Sequence, residues 1–217
     1  MALAFFEQDS KNERMARPSK AAERRAELIE VARRAVLERG VLNLRLRDVA
    51  EGAGLSSGSV LYYFPTLTDL LQEVQREAVA RFCSARERAA STKTTPSGRL
   101  SAMIRSGLPT GPDDELCVLL YELGTIARRD PVYAARHITL FEQQVRIYTG
   151  ILEAGAATGE FTLTADAVSI ARNLVALEDG YGLHLTQAVP TLETSTAEAM
   201  LLSYARTATS NPLEDRP

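Results

Sequence analysis

The sequence predicts an all-α protein. Nearly every segment carries apolar residues at the 3.6-residue period of a helix, whereas no run of β-branched residues alternates with the period of two that is typical of strands. Stretches rich in glycine and proline divide these periodic segments, and there is no internal repeat or low-complexity tract. We therefore expect about nine helices and no sheet.

The composition is that of a soluble globular protein. With 217 residues, of which 45% are apolar and 24% charged, the chain can bury a sizeable core in one or two domains. No apolar run approaches the roughly 18 residues that cross a membrane, and the first residues lack a signal-peptide pattern. We expect a cytoplasmic protein with no membrane partner. Cys83 and Cys117 stand far apart within helical patterns, which favours small core residues over a disulfide or zinc site.

Positive charge is concentrated near the N-terminus. Between Arg14 and Arg47 there are ten basic and four acidic residues, a local charge of +6 in a chain whose net charge is -3. One hypothesis is a solvated helix face with ion pairs at helical spacing, and the other is a surface that binds nucleic acid. Charge alone does not separate the two.

The N-terminal part of the chain should consist of a flexible arm followed by the first helix. Residues 1 to 20 are polar, contain Pro18 and should form a flexible basic arm. The first helix is expected at 21 to 38, and Gly40 stands where a helix C-terminal glycine belongs. The apolar stripe of this helix consists of Leu28, Val31, Ala32, Ala35 and Val36.

Two short helices should follow and form a helix-turn-helix. The second is expected at 46 to 53, and Gly54 ends it with a left-handed turn that costs a residue with a Cβ about 1 kcal/mol. Ser56 then caps a third helix at 57 to about 64, because Pro65 cannot continue it. Two such helices packed on a longer first helix are the arrangement found in helix-turn-helix proteins.

The fourth helix should connect this unit to a larger helical part. Thr66 can cap it, Asp69 takes the capping-box position, and its apolar stripe continues to Phe82. Five further helices are expected at 98 to 107, 113 to 128, 132 to 156, 165 to 186 and 195 to 208. The predicted organisation is an arm at 1–20, a helix-turn-helix domain at 21–66 and a second domain at 67–210.

The third helix should expose more aromatic and apolar surface than solvation explains. Val60 and Phe64 are expected to share a buried face with Leu55. The outward residues are then Ser57, Gly58, Ser59, Leu61, Tyr62 and Tyr63. A major groove about 12 Å wide admits one helix, small residues allow close approach, and tyrosine can contact thymine methyls or phosphate. The alternative is that the tyrosines pack against the fourth helix.

The segment from Arg24 to Leu71 resembles the DNA-binding domain of the TetR family of bacterial repressors. The shared features are the stripe of the first helix, the turn at Gly40, "RDVAEGAGLS", the small residues that open the third helix, and "FPTLTDLL". The resemblance covers about a quarter of the chain. It implies contacts with a double-stranded DNA operator. The expected DNA-binding residues are Arg45, Arg47, Ser56, Ser57, Gly58, Ser59, Leu61, Tyr62 and Tyr63.

Three departures from the family pattern involve four residues. Leu44 and Arg45 stand where the family commonly has a phosphate-binding threonine, and Leu67 replaces a common lysine. Losing the lysine should weaken DNA binding and lower the slope of log affinity against log salt concentration by about one unit. Arg45 and Arg47, beside the start of the second helix, could offset this loss. Leu61, where tyrosine is frequent, favours an apolar contact. The alternative function is therefore a helical interaction protein that has lost sequence-specific DNA binding.

The segment at 113 to 208 resembles the betaine-responsive subgroup of the same family. The similarity rests on "YELGTIARRDPVY", "GAATGEF" and "LEDGYGLHL". Membership of the family would imply release by a small-molecule effector. Because one recognition helix contacts too few bases to select a genomic site, we expect a homodimeric repressor on a palindromic operator. The last two helices should form either the dimer interface or internal core. The residues concerned are Ile170, Leu174, Leu177, Met200, Leu201 and Tyr204.

The effector is expected among polar and aromatic residues that interrupt the apolar stripes of the second domain. The candidate ligand-binding residues are Tyr121, Glu122, His137, Phe141, Tyr148, Glu178, Asp179 and Tyr181. Taken singly, each is also compatible with a structural role. The three carboxylates slightly favour a cationic or amphipathic ligand, through charge pairing and cation–π contact.

An enzyme is the competing class that the sequence disfavours. The two histidines, His137 and His184, and the two cysteines stand at unrelated spacings. The sequence contains no glycine-rich phosphate loop and no Gly-x-Ser-x-Gly elbow. We expect no catalytic residues, no cofactor and no metal.

Overall fold

The computed structural model describes residues 20–213 of the chain. This part contains nine α-helices and no strand. The helices are α1 (Lys20–Arg39), α2 (Leu46–Gly52), α3 (Ser57–Tyr63), α4 (Leu67–Ser91), α5 (Pro96–Gly107), α6 (Glu115–Gly124), α7 (Pro131–Ala157), α8 (Ala167–Thr186) and α9 (Thr194–Thr209). The predicted all-α fold is confirmed. The predicted arm lies outside the described residues except for Lys20, which begins α1.

Local side-chain caps explain where most helices begin. Six helices, from α3 to α8, start after a serine, threonine or aspartate whose side chain accepts a hydrogen bond from a backbone N–H two or three residues later. At α4 the predicted capping box is present: Thr66 accepts from the N–H of Asp69, and the Asp69 carboxylate accepts from the N–H of Thr66, both at 3.0 Å.

One predicted helix boundary differs from the observed one by four residues, and the others lie within two residues of those observed. The sixth helix was expected to reach residue 128, but it ends at Gly124. Beyond that residue the N–H groups of Ile126 and Ala127 bond to carbonyls three residues earlier, so the chain tightens into turns before Asp130 caps α7. The fifth helix begins at Pro96 because Thr95 caps it and proline suits the first turn.

Two main groups of buried apolar side chains hold the described helices together. The first lies beneath α1, α2, α3 and the start of α4, and it also includes Leu119 and Leu123 of α6 and Tyr133 of α7. The second is formed by α5, α7, α8 and α9, with α7 packed along α8. Since α6 and α7 contribute to the first group, they tie the helix-turn-helix to the rest of the protein. The predicted domain boundary at residue 66 stays a prediction.

Several predicted core positions are confirmed, and some predicted interface positions are not available to a partner. Cys83 and Cys117 are buried and form no disulfide. Of the six residues considered for a dimer interface, three lie entirely inside the chain's own core because α8 and α9 pack on α5 and α7. These three are Ile170, Leu174 and Leu201. Among the described residues, no helix is both long and apolar enough to span a bilayer.

Candidate nucleic-acid interface and ligand cavity

The third helix is held by its apolar face and by the turn that precedes it. Val60 and Phe64 are fully buried in the first core group, as the sequence predicted. Gly54 takes φ +64°, which suits glycine, and the N–H of Leu55 bonds to the carbonyl of Ala50 at 2.8 Å. Buried anchors on one side and a tight turn before it therefore determine which face of α3 points outward.

Small residues form the N-terminal end of this outward face. Ser57 and Gly58 are exposed and Ser59 is half-buried. Ser56 acts as the helix cap: its Oγ accepts from the N–H of Ser59 at 3.1 Å and lies 2.9 Å from the Ser59 hydroxyl. Two of the predicted DNA-contacting hydroxyls thus already bond to each other, whereas Ser57 presents its side chain to solvent.

Aromatic and apolar side chains form the C-terminal end. The Tyr62 side chain is 82% exposed and Leu61 is 42% exposed. Tyr63 was expected to point outward, but it is half-buried against the first core group, and its ring meets that of Tyr62 edge-on at 5.0 Å between centroids. Tyr62 therefore stands over Tyr63 as a supported, solvent-facing ring.

Arg25 of α1 holds the end of α3, a role that the sequence did not suggest. Its guanidinium donates to the backbone carbonyl of Tyr63 and lies 4.1 Å from the ring centroid of Phe64. A cation at a helix C-terminus meets the negative end of the helix dipole. The pair is 38 residues apart in sequence, so no local pattern could have revealed it.

The start of α2 carries the two predicted arginines. Arg45 and Arg47 are both exposed. Arg45 is the N-cap residue of α2, and its backbone N–H donates to the Asp48 carboxylate at 2.8 Å. Because the Arg45 side chain is exposed, it is accessible to a phosphate. Leu44, one of the two residues in the region where a threonine was expected from the resemblance, is buried in the first core group, and Leu67 is half-buried against it.

A cavity of about 360 Å³ lies among α4, α5, α6, α7 and α8. Its inner end is lined by the buried residues Phe82, Gly107, Cys117, Leu140 and Gln144. Its mouth is formed by the exposed residues His137, Asp179, Gly180 and Leu183. The half-buried Leu120 and Tyr121 complete the wall. A volume of this size suits a small organic ligand.

The structure brings together three of the eight predicted ligand-binding residues. Tyr121, His137 and Asp179 line the cavity, and the Tyr121 hydroxyl donates to the backbone carbonyl of Asp179 at 3.3 Å. Although Asp179 as a residue is exposed at the mouth, desolvation of its carboxyl by the surrounding protein raises its pKa, an effect that His137 and Arg86 oppose.

The other five predicted residues lie elsewhere. Glu122 faces the helix-turn-helix, Phe141 lies in a separate surface groove between α7 and α8, and Tyr181 packs on the second core group. Tyr148 and Glu178 are fully buried behind the cavity. The sequence missed most of the inner wall, since Phe82 and Leu140 continue apolar stripes and resemble ordinary core residues.

Tyr148 and Glu178 belong to a buried cluster with Arg86. Arg86 Nη2 donates to both carboxylate oxygens of Glu178, at 3.0 and 2.8 Å, and the Tyr148 hydroxyl donates to Glu178 Oε1. Burial raises the pKa of Glu178 to about 7, although Arg86 and Tyr148 act in the opposite direction. Burial also raises the pKa of Tyr148 well above its ordinary value.

Helix α6 touches both the cavity and the helix-turn-helix. Its residues Cys117, Leu120 and Tyr121 line the cavity. On another face, the Glu122 carboxylate accepts the N–H of Val41 at 3.0 Å, in the turn between α1 and α2. At the start of the helix, Glu115 pairs with Arg33 of α1 at 2.7 Å. A shift of α6 would therefore displace or break the hydrogen bond to Val41 in the turn before α2.

Two family models match the chain and between them include most of the described helices. Residues 96–209 match the model described as BetI-type transcriptional repressor, C-terminal, which is more than half of the chain. Residues 28–74 match the model for bacterial regulatory proteins of the tetR family. The chain belongs to the TetR family. It is a DNA-binding transcriptional repressor of that family, whose members are regulators rather than enzymes.

Known TetR-family proteins resemble it in sequence and in fold. The HTH-type transcriptional repressor KstR2 of Mycolicibacterium smegmatis is 26% identical over 149 residues, which are 66% of this chain and 70% of that protein. A protein from Saccharomonospora viridis in complex with choline shares the fold, with a TM-score of 0.80, 23% identity, and coverage of 86% of this chain and 97% of that one.

A third relative is the transcriptional regulator FadR from Bacillus subtilis in complex with stearoyl-CoA. Its TM-score is 0.68 at 19% identity, and the match covers 85% of this chain and 97% of that one. At these identities the two solved structures establish that this TetR-family chain shares their fold. Since one of them holds a quaternary ammonium compound and the other an acyl thioester, the fold alone does not select a ligand.

Proposed function

We propose that this TetR-family repressor binds a palindromic operator as a homodimer and is released by a small-molecule effector. The observation that carries the proposal is the outer face of α3, where Ser57 and Gly58 leave the backbone accessible and Tyr62 is 82% exposed. A helix with small residues at one end and a supported aromatic ring at the other fits a major groove.

Pairing of two chains supplies the second contact that DNA recognition needs. One α3 reaches too few base pairs to select a genomic site, whereas two copies related by a two-fold axis, about 34–36 Å apart, span two half-sites. Val168 on α8 and Met200 on α9 are exposed apolar residues, which supports pairing through these helices.

The position of the cavity supports control by a ligand. Phe82 belongs to α4, which begins four residues after α3 ends, and Leu120 and Tyr121 belong to α6, which contacts the turn before α2. A ligand that binds better to a different placement of α4 or α6 would change the spacing of the two α3 helices. DNA and ligand would then weaken each other's binding by the same factor.

Selection of bound sequences from a random pool of double-stranded DNA tests the DNA-binding part. We expect recovery of a palindrome and a mass of two chains per operator in sedimentation experiments. Tyr62→Ala should weaken binding to the selected site by roughly tenfold or more, as expected when a base-contacting ring is lost. Ile138→Ala is a matched control because it truncates another exposed apolar residue, on α7.

Salt dependence separates the proposal from the alternative function. A repressor that neutralises phosphates loses affinity steeply as salt rises, because counterions are released on binding. Measurement at two salt concentrations with the selected DNA should therefore give a strongly negative slope. Recovery of no shared sequence, or binding that salt does not change, would instead favour a helical interaction protein.

A further inference from the structure

A buried cation with unpaired donors lies directly behind the cavity. Arg86 is fully buried, and its Nη2 atom bonds to Glu178. Its Nε and Nη1 atoms have no hydrogen-bond partner among residues 20–213. The guanidinium lies near the rings of Phe82 and Tyr148, but these two donors have no oxygen acceptor in that range of residues, so they remain available to a ligand.

Two residues of the inner cavity wall contact this guanidinium. A methyl group placed on Gly107 would lie 1.9 Å from Arg86 Nη1 and 2.3 Å from Glu178 Oε1, so the buried ion pair fills the space that a side chain at Gly107 would take. The Arg86 guanidinium also lies 5.3 Å from the ring centroid of Phe82. Gly107 and Phe82 both line the cavity. The Arg86–Glu178 pair therefore lies directly behind the inner wall of the cavity, against Gly107 and Phe82.

We propose that the effector is a compact, largely apolar molecule with a carboxylate, which accepts a hydrogen bond from Arg86 at the inner end of the cavity. This inference rests on the proposed function and specifies the ligand of that site. A guanidinium is the side chain best suited to a carboxylate, and charge-assisted hydrogen bonds are the strong ones in a buried environment.

The remaining walls decide how such a ligand lies. Leu120, Leu140 and Leu183 offer apolar surface for its body. Asp179 stands at the mouth and would repel a second negative charge there. The carboxylate therefore points inward, toward Arg86 and the buried amide of Gln144, and the apolar part extends toward the mouth.

The same geometry argues against the cationic ligand that the sequence slightly favoured. That preference rested on three carboxylates, but Glu122 bonds to the backbone of Val41 and Glu178 bonds to Arg86. Asp179 is left as the carboxylate that lines the cavity, and it lies at the exposed mouth. A cation placed at the inner end would meet the positive charge of Arg86.

Glu178 supplies a way to balance the charge of the incoming carboxylate. A ligand anion beside Arg86 would weaken the attraction that keeps Glu178 ionised. Because burial already raises the pKa of Glu178 to about 7, this carboxyl is poised to take up a proton when the ligand binds. Binding of a carboxylate near neutral pH should therefore be accompanied by proton uptake.

Calorimetric titration of the full-length protein with shape-matched probe pairs tests the proposal. The pairs are octanoate with octyltrimethylammonium and phenylacetate with phenethylammonium, and choline serves as a further cation. We expect at least one carboxylate to bind at least tenfold more tightly than its cationic counterpart. Binding of the cations alone, or of none of the probes, would overturn the proposal.

A pair of variants locates the contact. Arg86→Met with Glu178→Met removes both buried charges together, which avoids leaving one of them unpaired. We expect this double variant to bind the carboxylate roughly tenfold to a hundredfold more weakly, the range for a lost hydrogen bond to a charged group. Arg105→Met with Glu198→Met is the matched control, because it removes another Arg–Glu pair that does not line the cavity, and it should leave carboxylate affinity unchanged. Unchanged affinity in the double variant would overturn the assignment of Arg86.

Proton uptake gives a second measurement that needs no variant. Titrations of the wild-type protein in two buffers of different ionisation enthalpy, near pH 7, should show uptake of a fraction of a proton with the carboxylate. No uptake would contradict the role of the Arg86–Glu178 pair. These titrations need no DNA, and selection of an operator needs no ligand, so the ligand class can fail while the proposed function stands.

Discussion

Arg25 joins two helices that are distant in sequence. It donates to the carbonyl of Tyr63 and stacks on Phe64, so it holds the end of α3 against α1. The same charge could have been assigned to a phosphate contact or to a solvated helix face. Its observed partners show that part of the basic N-terminal charge is used to orient the candidate recognition helix.

Replacement of this arginine should therefore reduce stability as well as DNA binding. We expect Arg25→Met to lower the free energy of unfolding by about 0.5–1 kcal/mol, the range for a cation–π contact at an exposed site. Arg24→Met removes the same charge next door but breaks only a surface ion pair with Glu27, which should cost less than about 0.5 kcal/mol. Urea unfolding of both variants measures the difference, and equal losses would contradict the role of Arg25.

Serines at the start of α3 divide into one that caps the helix and one that faces solvent. Ser56→Ala removes the acceptor of the Ser59 N–H and should cost about 1 kcal/mol of stability. Ser57→Ala removes an exposed hydroxyl and should change stability by less than about 0.5 kcal/mol, while weakening binding to the selected operator. Thermal unfolding together with a gel shift distinguishes them. A fully stable Ser56→Ala protein would show that the cap contributes little.

Among the helices, two glycines of α7 illustrate how packing decides what a residue type means. A methyl group at Gly155 would lie 2.1 Å from the ring of Phe161, whereas a methyl group at Gly150 would meet nothing within 4 Å. Both glycines lie in the same helix and are indistinguishable by helix propensity. The helix can approach Phe161 closely only because residue 155 has no side chain.

Alanine at these two positions should have opposite effects. Gly155→Ala should destabilise the protein by about 1–3 kcal/mol, because the ring or the helix must move. Gly150→Ala should stabilise it by about 0.5–1 kcal/mol, since alanine is the better helix former where space is open. Urea unfolding of the two variants checks both signs. A stabilised Gly155→Ala protein would mean that the Phe161 ring gives way at little cost.

Across the molecule as a whole, the buried Arg86–Glu178 pair joins α4 to α8. It also makes the free energy of unfolding depend on pH. The ordinary pKa of a glutamate is 4.5, and burial raises that of Glu178 to about 7. The folded protein therefore holds a proton that the unfolded chain has released between these two values. Stability contributed by this group is present at low pH and falls as the pH rises through this window.

The double variant Arg86→Met with Glu178→Met isolates this effect, because it removes the titrating carboxyl without leaving Arg86 buried and unpaired. Relative to this variant, the wild-type protein should lose up to about 3 kcal/mol of unfolding free energy between about pH 5 and about pH 7.5. Urea unfolding of both proteins at the two pH values gives the difference. Parallel pH profiles would show that Glu178 titrates near its ordinary value in the folded protein.

Local sequence signals were enough to predict the all-α fold and most of the outward face of the third helix, although Tyr63 packs inward. Caps act within three residues, apolar periods repeat every 3.6 residues, and a proline ends a helix where it stands. Val60 and Phe64 are accordingly buried, and Tyr62 is exposed, as expected.

Which polar side chains meet depends instead on how distant helices pack. Arg86 and Glu178 are 92 residues apart, and Val41 and Glu122 are 81 apart, so neither contact leaves a trace in local spacing. From the sequence, Glu122 and Glu178 were expected in one ligand site because both interrupt apolar stripes. The packing of α6 and α8 sends one to the helix-turn-helix and the other to a buried arginine, because a helix has several faces and its neighbours determine what each face contacts.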